Sequence, residues 1–298
     1  MPEMRAPDFP TRDDARKPRT LGIIAGSGHL PGQVAAAAAA GGRGVFMVGL
    51  EGFADPAVLA PWPHAVIRMT AAGRILAALR AHGCEDLVLI GPVRRPSLVG
   101  LRPDAESARI LARIGIAVFA GDDGLLGAVI RVLADEGFRV IGAQDVLQEV
   151  LAPAGVLTCA RPDDLARTDI RRGVAVVRAL GAADVGQGCV VQHGIVLALE
   201  AAEGTDAMLA RCAALARPGP GGVLVKLPKP GQERRADLPA IGPETVRGVA
   251  AAGLRGVAFE AGGTILAERK ATIAAADAAG LFLLGLDPDD AYEGSKPR

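Results

Sequence analysis

Short apolar runs of strand length recur along the first half of the chain, each separated from the next by a segment with helical composition. Leu21–Ala25, Val45–Leu50, Ala65–Met69, Asp86–Ile90 and Arg139–Ile141 form the strand series. Gly32–Ala40, Gly73–Ala81, Pro103–Ile114 and Leu125–Glu136 form the helical series. Strands alternating with helices of about 10–15 residues imply βαβ units and a parallel sheet covered by helices. A short helix over Ala143–Leu151 closes this half.

The second half changes character. A helix over Asp163–Leu180 precedes a hairpin, Cys189–Gln192 and Ile195–Leu199, turning at His193-Gly194. Thr205 or Asp206 is placed to cap a helix running through Cys212. Strands are expected at Gly222–Leu227, Gly256–Phe259, Thr264–Ala267 and Leu281–Leu286, with helices at Pro243–Ala251 and Ala271–Ala279. The fold class is therefore α/β in two domains. Residues 1–20 read as a disordered extension and 21–152 as a Rossmann-like N-terminal domain. Residues 153–162 read as a linker, 163–286 as a C-terminal α/β domain and 287–298 as a tail.

Composition excludes several functions. Net charge is +0, which removes bulk electrostatics as a route to nucleic acid. Aromatic residues are 3%, too few for a base-stacking surface. Cys84, Cys159, Cys189 and Cys212 form no CxxC pair, and the four histidines have no ligand spacing. The cysteines read as buried, reduced thiols of a cytoplasmic protein. Leu21–Gly42 lacks charge, yet Gly26-Ser27-Gly28-His29 interrupts it after five strongly apolar residues. A membrane helix needs about 20 apolar residues and a signal core about 7–15. The chain is expected to be soluble.

The richest chemistry lies in Gly221–Gly242, GGVLVKLPKPGQERRADLPAIG. An apolar strand runs into Lys226, Lys229, Arg234 and Arg235, with Pro228 and Pro230 stiffening the path and Asp237 just beyond. Cations neutralise phosphate oxygens, and a carboxylate can bind a metal or activate water. A solvated basic loop with Asp237 paired to Arg234 or Arg235 has the same pattern. Gly26-Ser27-Gly28 follows the first strand, where a phosphate or sugar can approach a helix start; a tight turn alone would also need these glycines. Arg94 and Arg95 follow the fourth strand, where open sheets bind ligands, or decorate a surface loop. Asp122 and Asp123 precede a helix as a capping pair or as ligand contacts. Glu200, Glu203 and Asp206 put three carboxylates near one helix start, more than capping requires.

The chain resembles the LpxI-type UDP-2,3-diacylglucosamine pyrophosphatases of lipid A synthesis. The resemblance rests on IAGSGHLP, GLEGFADP, GPVRRPSL, GDDGLL, ALEAAEGTDAML, VLVKLPKPGQERRADLPAIG and TIAAADAAGLFLLG, spread from Leu21 to Gly285. It implies a Mg²⁺-dependent hydrolase that splits UDP-2,3-diacylglucosamine into UMP and 2,3-diacylglucosamine 1-phosphate (lipid X). It also implies two α/β domains with lipid between them, a homodimer, and Asp237 as the essential acid. His193 departs from the family, where Asp is common. The residue reading fits this chemistry, and Asp237, Lys226, Lys229 and Arg235 are the catalytic candidates. Gly26, Ser27, Gly28, Arg94, Arg95, Asp122, Asp123 and Thr205 are the substrate-binding candidates. Asp237, Glu203 and Asp206 are the candidate Mg²⁺ ligands. The DxH and GNHE motifs of calcineurin-type phosphoesterases are absent from the sequence. Two acyl chains require an apolar cleft, aliphatic in a chain poor in aromatics and open to substrate drawn peripherally from the inner membrane. The alternative is a non-catalytic nucleotide or UDP-sugar sensor; no nucleic-acid partner is expected.

Overall fold

The structure, a computed structural model, describes residues 20–93, 105–114 and 122–287, without the side chains of 105–107, 111, 114, 122 and 123. The expected extension before Thr20, Arg94, Arg95, the tail beyond Asp287 and the side chains of Asp122 and Asp123 lie outside this description.

The first half contains β1 (Thr20–Ala25), α1 (Leu30–Ala40), β2 (Val45–Leu50), α2 (Pro56–Leu59), β3 (His64–Ile67) and α3 (Ala72–Ala81). It continues with β4 (Cys84–Ile90), α4 (Ala105–Ile114), α5 (Asp122–Asp135), β5 (Arg139–Val140) and α6 (Ala143–Val146). The five strands pair in parallel in the order β3-β2-β1-β4-β5. Strand order reverses at β1, so a crevice opens beyond the carboxyl ends of β1 and β4. Side chains alternate across the sheet as the strand period requires. Leu21, Ile23, Met47, Val88 and Ile90 pack on the α1 side. Phe46, Val48 and Leu87 pack on the other, with Leu76 and Leu79 of α3 and Leu133 of α5. Each such fully buried aliphatic side chain contributes about 1.5–3 kcal/mol.

The second half contains β6 (Gly155–Val156), α7 (Asp164–Ala182), β7 (Gly188–Gln192), β8 (Ile195–Leu199), α8 (Gly204–Cys212) and β9 (Val223–Lys226). Then come β10 (Ala240–Ile241), α9 (Pro243–Ala251), β11 (Gly256–Glu260), β12 (Ile265–Leu266), α10 (Arg269–Ala278) and β13 (Phe282–Leu286). The sheet order is β6-β13-β11-β9-β7-β8, with β9, β11 and β13 parallel and β6, β7 and β8 antiparallel to their neighbours. α7 covers one face through Ala166, Ile170, Val174 and Val177 against Val223 and Val225. Met208 of α8, Val246 of α9 and Ala276 of α10 cover the other, against Leu224 and Phe259. His193 and Gly194 both adopt positive φ, 52° and 73°, as a two-residue hairpin turn between β7 and β8 demands.

Several local expectations change. The segment read as a linker carries β6, paired with Leu284 and Gly285, and Thr158 Oγ1 accepts from Leu283 N at 3.0 Å. Two residues of strand are too short to show a period. The helix expected over Ala143–Leu151 divides into α6 and a 3-10 turn at Gln148–Val150. Glu203 occupies the N-cap of α8 without a capping side-chain bond, so neither Thr205 nor Asp206 caps it. Cys84, Cys189 and Cys212 are buried free thiols, but Cys159 is exposed. Burial pushes the Cys189 thiol up to about 12. Among the described residues no helix is long and apolar enough to cross a membrane.

The halves touch through backbone as well as side chains. Ala152 N donates to Thr264 O at 2.8 Å, Leu151 bridges Ile265, and Gln144 Nε2 donates to Arg234 O at 3.2 Å. Ala236 packs against the core shared by α3 and α5.

Candidate functional site

β9 ends at Lys226, and its ammonium is the first polar group the strand delivers. Lys226 is buried, with Nζ donating to Thr205 Oγ1 at 2.7 Å. Thr205 in turn donates to Glu200 Oε1 at 3.0 Å. A buried charge needs a counter-charge or directed polar partners. Here the hydroxyl of Thr205, within the first turn of α8, joins buried cation to buried carboxylate.

Beyond β9 the chain turns at Pro230-Gly231, with Gly231 at φ 77° and Gln232 N donating to Lys229 O at 3.1 Å. Lys229 Nζ donates to Asp184 Oδ1 at 2.6 Å. Lys229 N donates to Gln232 Oε1 at 2.8 Å, and the Gln232 amide donates to Asp237 Oδ2 at 2.6 Å. The backbone N–H groups of Ala236 and Asp237 both donate to Glu233 O at 3.0 Å, winding the chain into a turn that lifts Asp237 back toward Gln232.

The arginines do not pair with Asp237. Arg234 donates to Glu260 at 3.0 Å, and Arg235 holds Glu233 through contacts of 2.8 and 2.6 Å. The bond from Arg235 pulls the Glu233 carboxyl below its ordinary range and raises the guanidinium correspondingly. The four cations named from the sequence thus stand oriented by separate acceptors: Thr205, Asp184, Glu260 and Glu233. Of these acceptors, Asp184 and Glu260 lie far from the loop in sequence, and only the fold brings them close.

Asp237 borders a cavity of about 620 Å³. Its body is aliphatic, including Ile75, Leu76, Leu126, Val129 and Leu133, while Arg234, Arg235 and Asp237 supply charge. Ligand pockets commonly have about 300–1,000 Å³ and an apolar wall with few polar groups. The cavity sits against α3 and α5 of the first half and is bordered by Arg234, Ala236, Leu238 and Ala240 of the second. Gly91, Pro92 and Val93 also line it, at the start of the segment leading to Arg94 and Arg95.

The glycine turn after β1 makes a different contribution. Gly26 N donates to Ile90 O at 2.9 Å, and Ser27 donates to Pro92 O through its backbone N and its hydroxyl at 3.0 and 2.9 Å. A Cβ on Gly26 would collide with Gly91 O, so the approach of the two loops requires glycine. Gly28 has φ of 86° with open space beside it. The hydroxyl of Ser27 is taken up by loop closure.

The expected metal set does not assemble. Glu203 accepts from Arg211 at 2.8 Å, which lowers its pKa, and Asp206 is exposed in the first turn of α8. Among the described residues no group of three or more His, Cys, Asp or Glu side chains is placed to hold a metal ion. Sequence proximity joined Glu203 to Asp206, but Arg211 claims the first and solvent the second. Gln187 and Gln232 carry no signal in the sequence, since an amide has no charge signature.

Residues 20–150 match the family model described as the LpxI N-terminal domain, and residues 153–284 match the LpxI C-terminal domain. The chain is 44% identical over 278 residues to the UDP-2,3-diacylglucosamine pyrophosphatase LpxI of Caulobacter vibrioides, covering 91% of this chain and 99% of that protein. A UDP-glucose-4-epimerase structure from Stenotrophomonas maltophila aligns with a TM-score of 0.28 and 16% identity, over 40% of this chain and 34% of that one. That likeness is too slight to carry an argument.

Proposed function

The chain belongs to the LpxI family, and from that premise we propose that it hydrolyses the pyrophosphate bond of UDP-2,3-diacylglucosamine. Water adds across one P–O bond, giving UMP and 2,3-diacylglucosamine 1-phosphate (lipid X). The observation that carries the reading is the aliphatic cavity ending at Asp237. A diacylated sugar nucleotide has the same polarity: two hydrocarbon chains joined to a charged head.

In this reading the cavity takes acyl chain, each buried CH₂ contributing about 0.8 kcal/mol. The diphosphate lies along the segment from Lys226 to Asp237. Arg235 and Lys229, each already aimed by a carboxylate, offset its charge at the loop. Lys226, aimed by Thr205, adds a buried positive field behind them. Asp237 receives the proton of the attacking water, its direction set by Gln232.

Mg²⁺ is bound in many phosphoryl-transfer sites by one or two carboxylates together with substrate phosphates. Asp237 is the carboxylate that fits such an arrangement, and the ion would supply charge neutralisation at the diphosphate. Glu203 and Asp206 do not fit. Substrate is drawn peripherally from the inner membrane face, by an enzyme acting in the cytoplasm as a homodimer.

The test is UMP release from purified protein with UDP-2,3-diacylglucosamine and Mg²⁺. Stoichiometric UMP and sugar 1-phosphate support the reading. Binding without UMP release would make the protein a UDP-sugar sensor.

A further inference from the structure

We infer that Gln232 is the positioning residue for the carboxylate of Asp237, and that Gln187 and the Lys229 backbone lock the amide that does so. This deepens the proposed hydrolase reading and rests on it for its kinetic part. Gln232 is 6% exposed, so its amide must find partners within the protein. It finds them at both ends. Oε1 accepts from Lys229 N at 2.8 Å, and Nε2 donates to Asp237 Oδ2 at 2.6 Å and to Gln187 Oε1 at 3.3 Å.

These partners determine which end of the amide is which. A backbone N–H only donates, so the group facing Lys229 N must be the oxygen. A carboxylate only accepts, so the group facing Asp237 must be the NH₂. The two requirements agree, and the side chain has one orientation that satisfies both. Gln187 is itself anchored by the sheet, because Leu227 N donates to Gln187 O at 3.0 Å. The orientation of Asp237 is therefore referred back to the β7–β9 ladder through a single amide. Arg234 and Arg235, the neighbours in sequence, do none of this, since they bond Glu260 and Glu233.

A purely space-filling glutamine would affect folding and binding. A positioning glutamine affects turnover. Gln232→Met keeps length and removes all three side-chain hydrogen bonds. Gln232→Glu keeps an oxygen for Lys229 N but faces Asp237 with a second oxygen. Both should bind UDP-2,3-diacylglucosamine within a few-fold of wild type, while kcat falls about 10–100-fold, the scale for losing the partner that orients a reacting group. Added to Asp237→Ala, Gln232→Met should change residual turnover less than about twofold, because nothing remains to be positioned.

Loss of binding with unchanged kcat, or a full second loss in the Asp237→Ala background, would overturn the inference. A crystal structure of each Gln232 variant supplies a readout that does not depend on activity. Asp237 should leave its present orientation; a carboxylate unmoved in both variants would refute the positioning role. If wild-type protein releases no UMP, the hydrolase reading fails, and the crystal structures still decide whether Gln232 orients Asp237. Should Gln232→Met not fold, Gln232→Glu, which retains the Lys229 contact, decides both parts.

Discussion

The two sheets put their polar residues to opposite uses at the ends where ligands usually approach. Beyond β1 of the five-stranded sheet, Ser27 bonds Pro92 and Gly26 leaves no room beside Gly91, so the turn is closed upon itself. At the end of β9 of the six-stranded sheet and beyond it, Lys226, Lys229, Arg235 and Asp237 each carry a directed hydrogen bond. The first half contributes the cavity's aliphatic wall, and the second contributes most of its charge. The glycine turn after β1 is thus held by its own contacts, and the proposed chemistry falls to a loop that has no standard phosphate motif.

The comparison breaks most sharply at Asp237. Asp237→Asn should leave folding and substrate binding intact while kcat for UMP release falls by about 10²–10³. A steady-state assay checks this, and a few-fold effect would move the chemistry away from the second sheet. Filling the cavity should give the reverse pattern. Ala72→Trp places a large ring among the lining residues of α3 and should raise KM for long-chain substrate about 10–200-fold, with kcat less affected.

Closure of the glycine turn is tested by Gly26→Ala. The new methyl group would meet Gly91 O, and stability should fall by about 1–3 kcal/mol in urea unfolding. The folded fraction should keep its kcat, because the turn shapes and does not react. The smallest effect belongs to Asp86, which is buried near the start of β4 and bonded by Arg139 at 2.7 and 2.9 Å and by Arg43 at 2.7 Å. Chiefly the bond from Arg139 holds its carboxyl below the ordinary range. Its contribution to stability is present above an unfolded pKa of about 3.9 and is lost as pH falls through the depressed folded value. Urea unfolding between neutral and strongly acidic pH should show this loss, and Asp86→Asn should flatten that part of the curve.

Long buried strands were legible from sequence because period and composition agree over five or six residues. Val45–Leu50 keeps the limits read from sequence, and Val223–Lys226 lies within the strand read over Gly222–Leu227. β6 and α2 were not legible, since two strand residues or one helical turn carry no period. At the site, sequence assembled the cations and Asp237 on one loop but not their partners. Glu260 lies 26 positions from Arg234 and Asp184 lies 45 from Lys229, distances only the sheet closes. Local capping rules offered Thr205 or Asp206 as the cap of α8, but Glu203 holds the N-cap position and the Thr205 hydroxyl accepts from Lys226. Asp237, Glu203 and Asp206 form no metal-holding group among the described residues, and Glu203 accepts from Arg211, nearby in sequence.

The most direct measurement of this division of labour is a crystal structure of the Asp237→Asn variant with uncleaved UDP-2,3-diacylglucosamine and Mg²⁺. Acyl chain should lie among Ile75, Leu126 and Leu133, with the diphosphate against the substituted side chain at position 237 and the Lys226–Arg235 segment. Lipid bound elsewhere with this cavity empty, or a diphosphate resting on Gly26–Gly28 away from position 237, would contradict it.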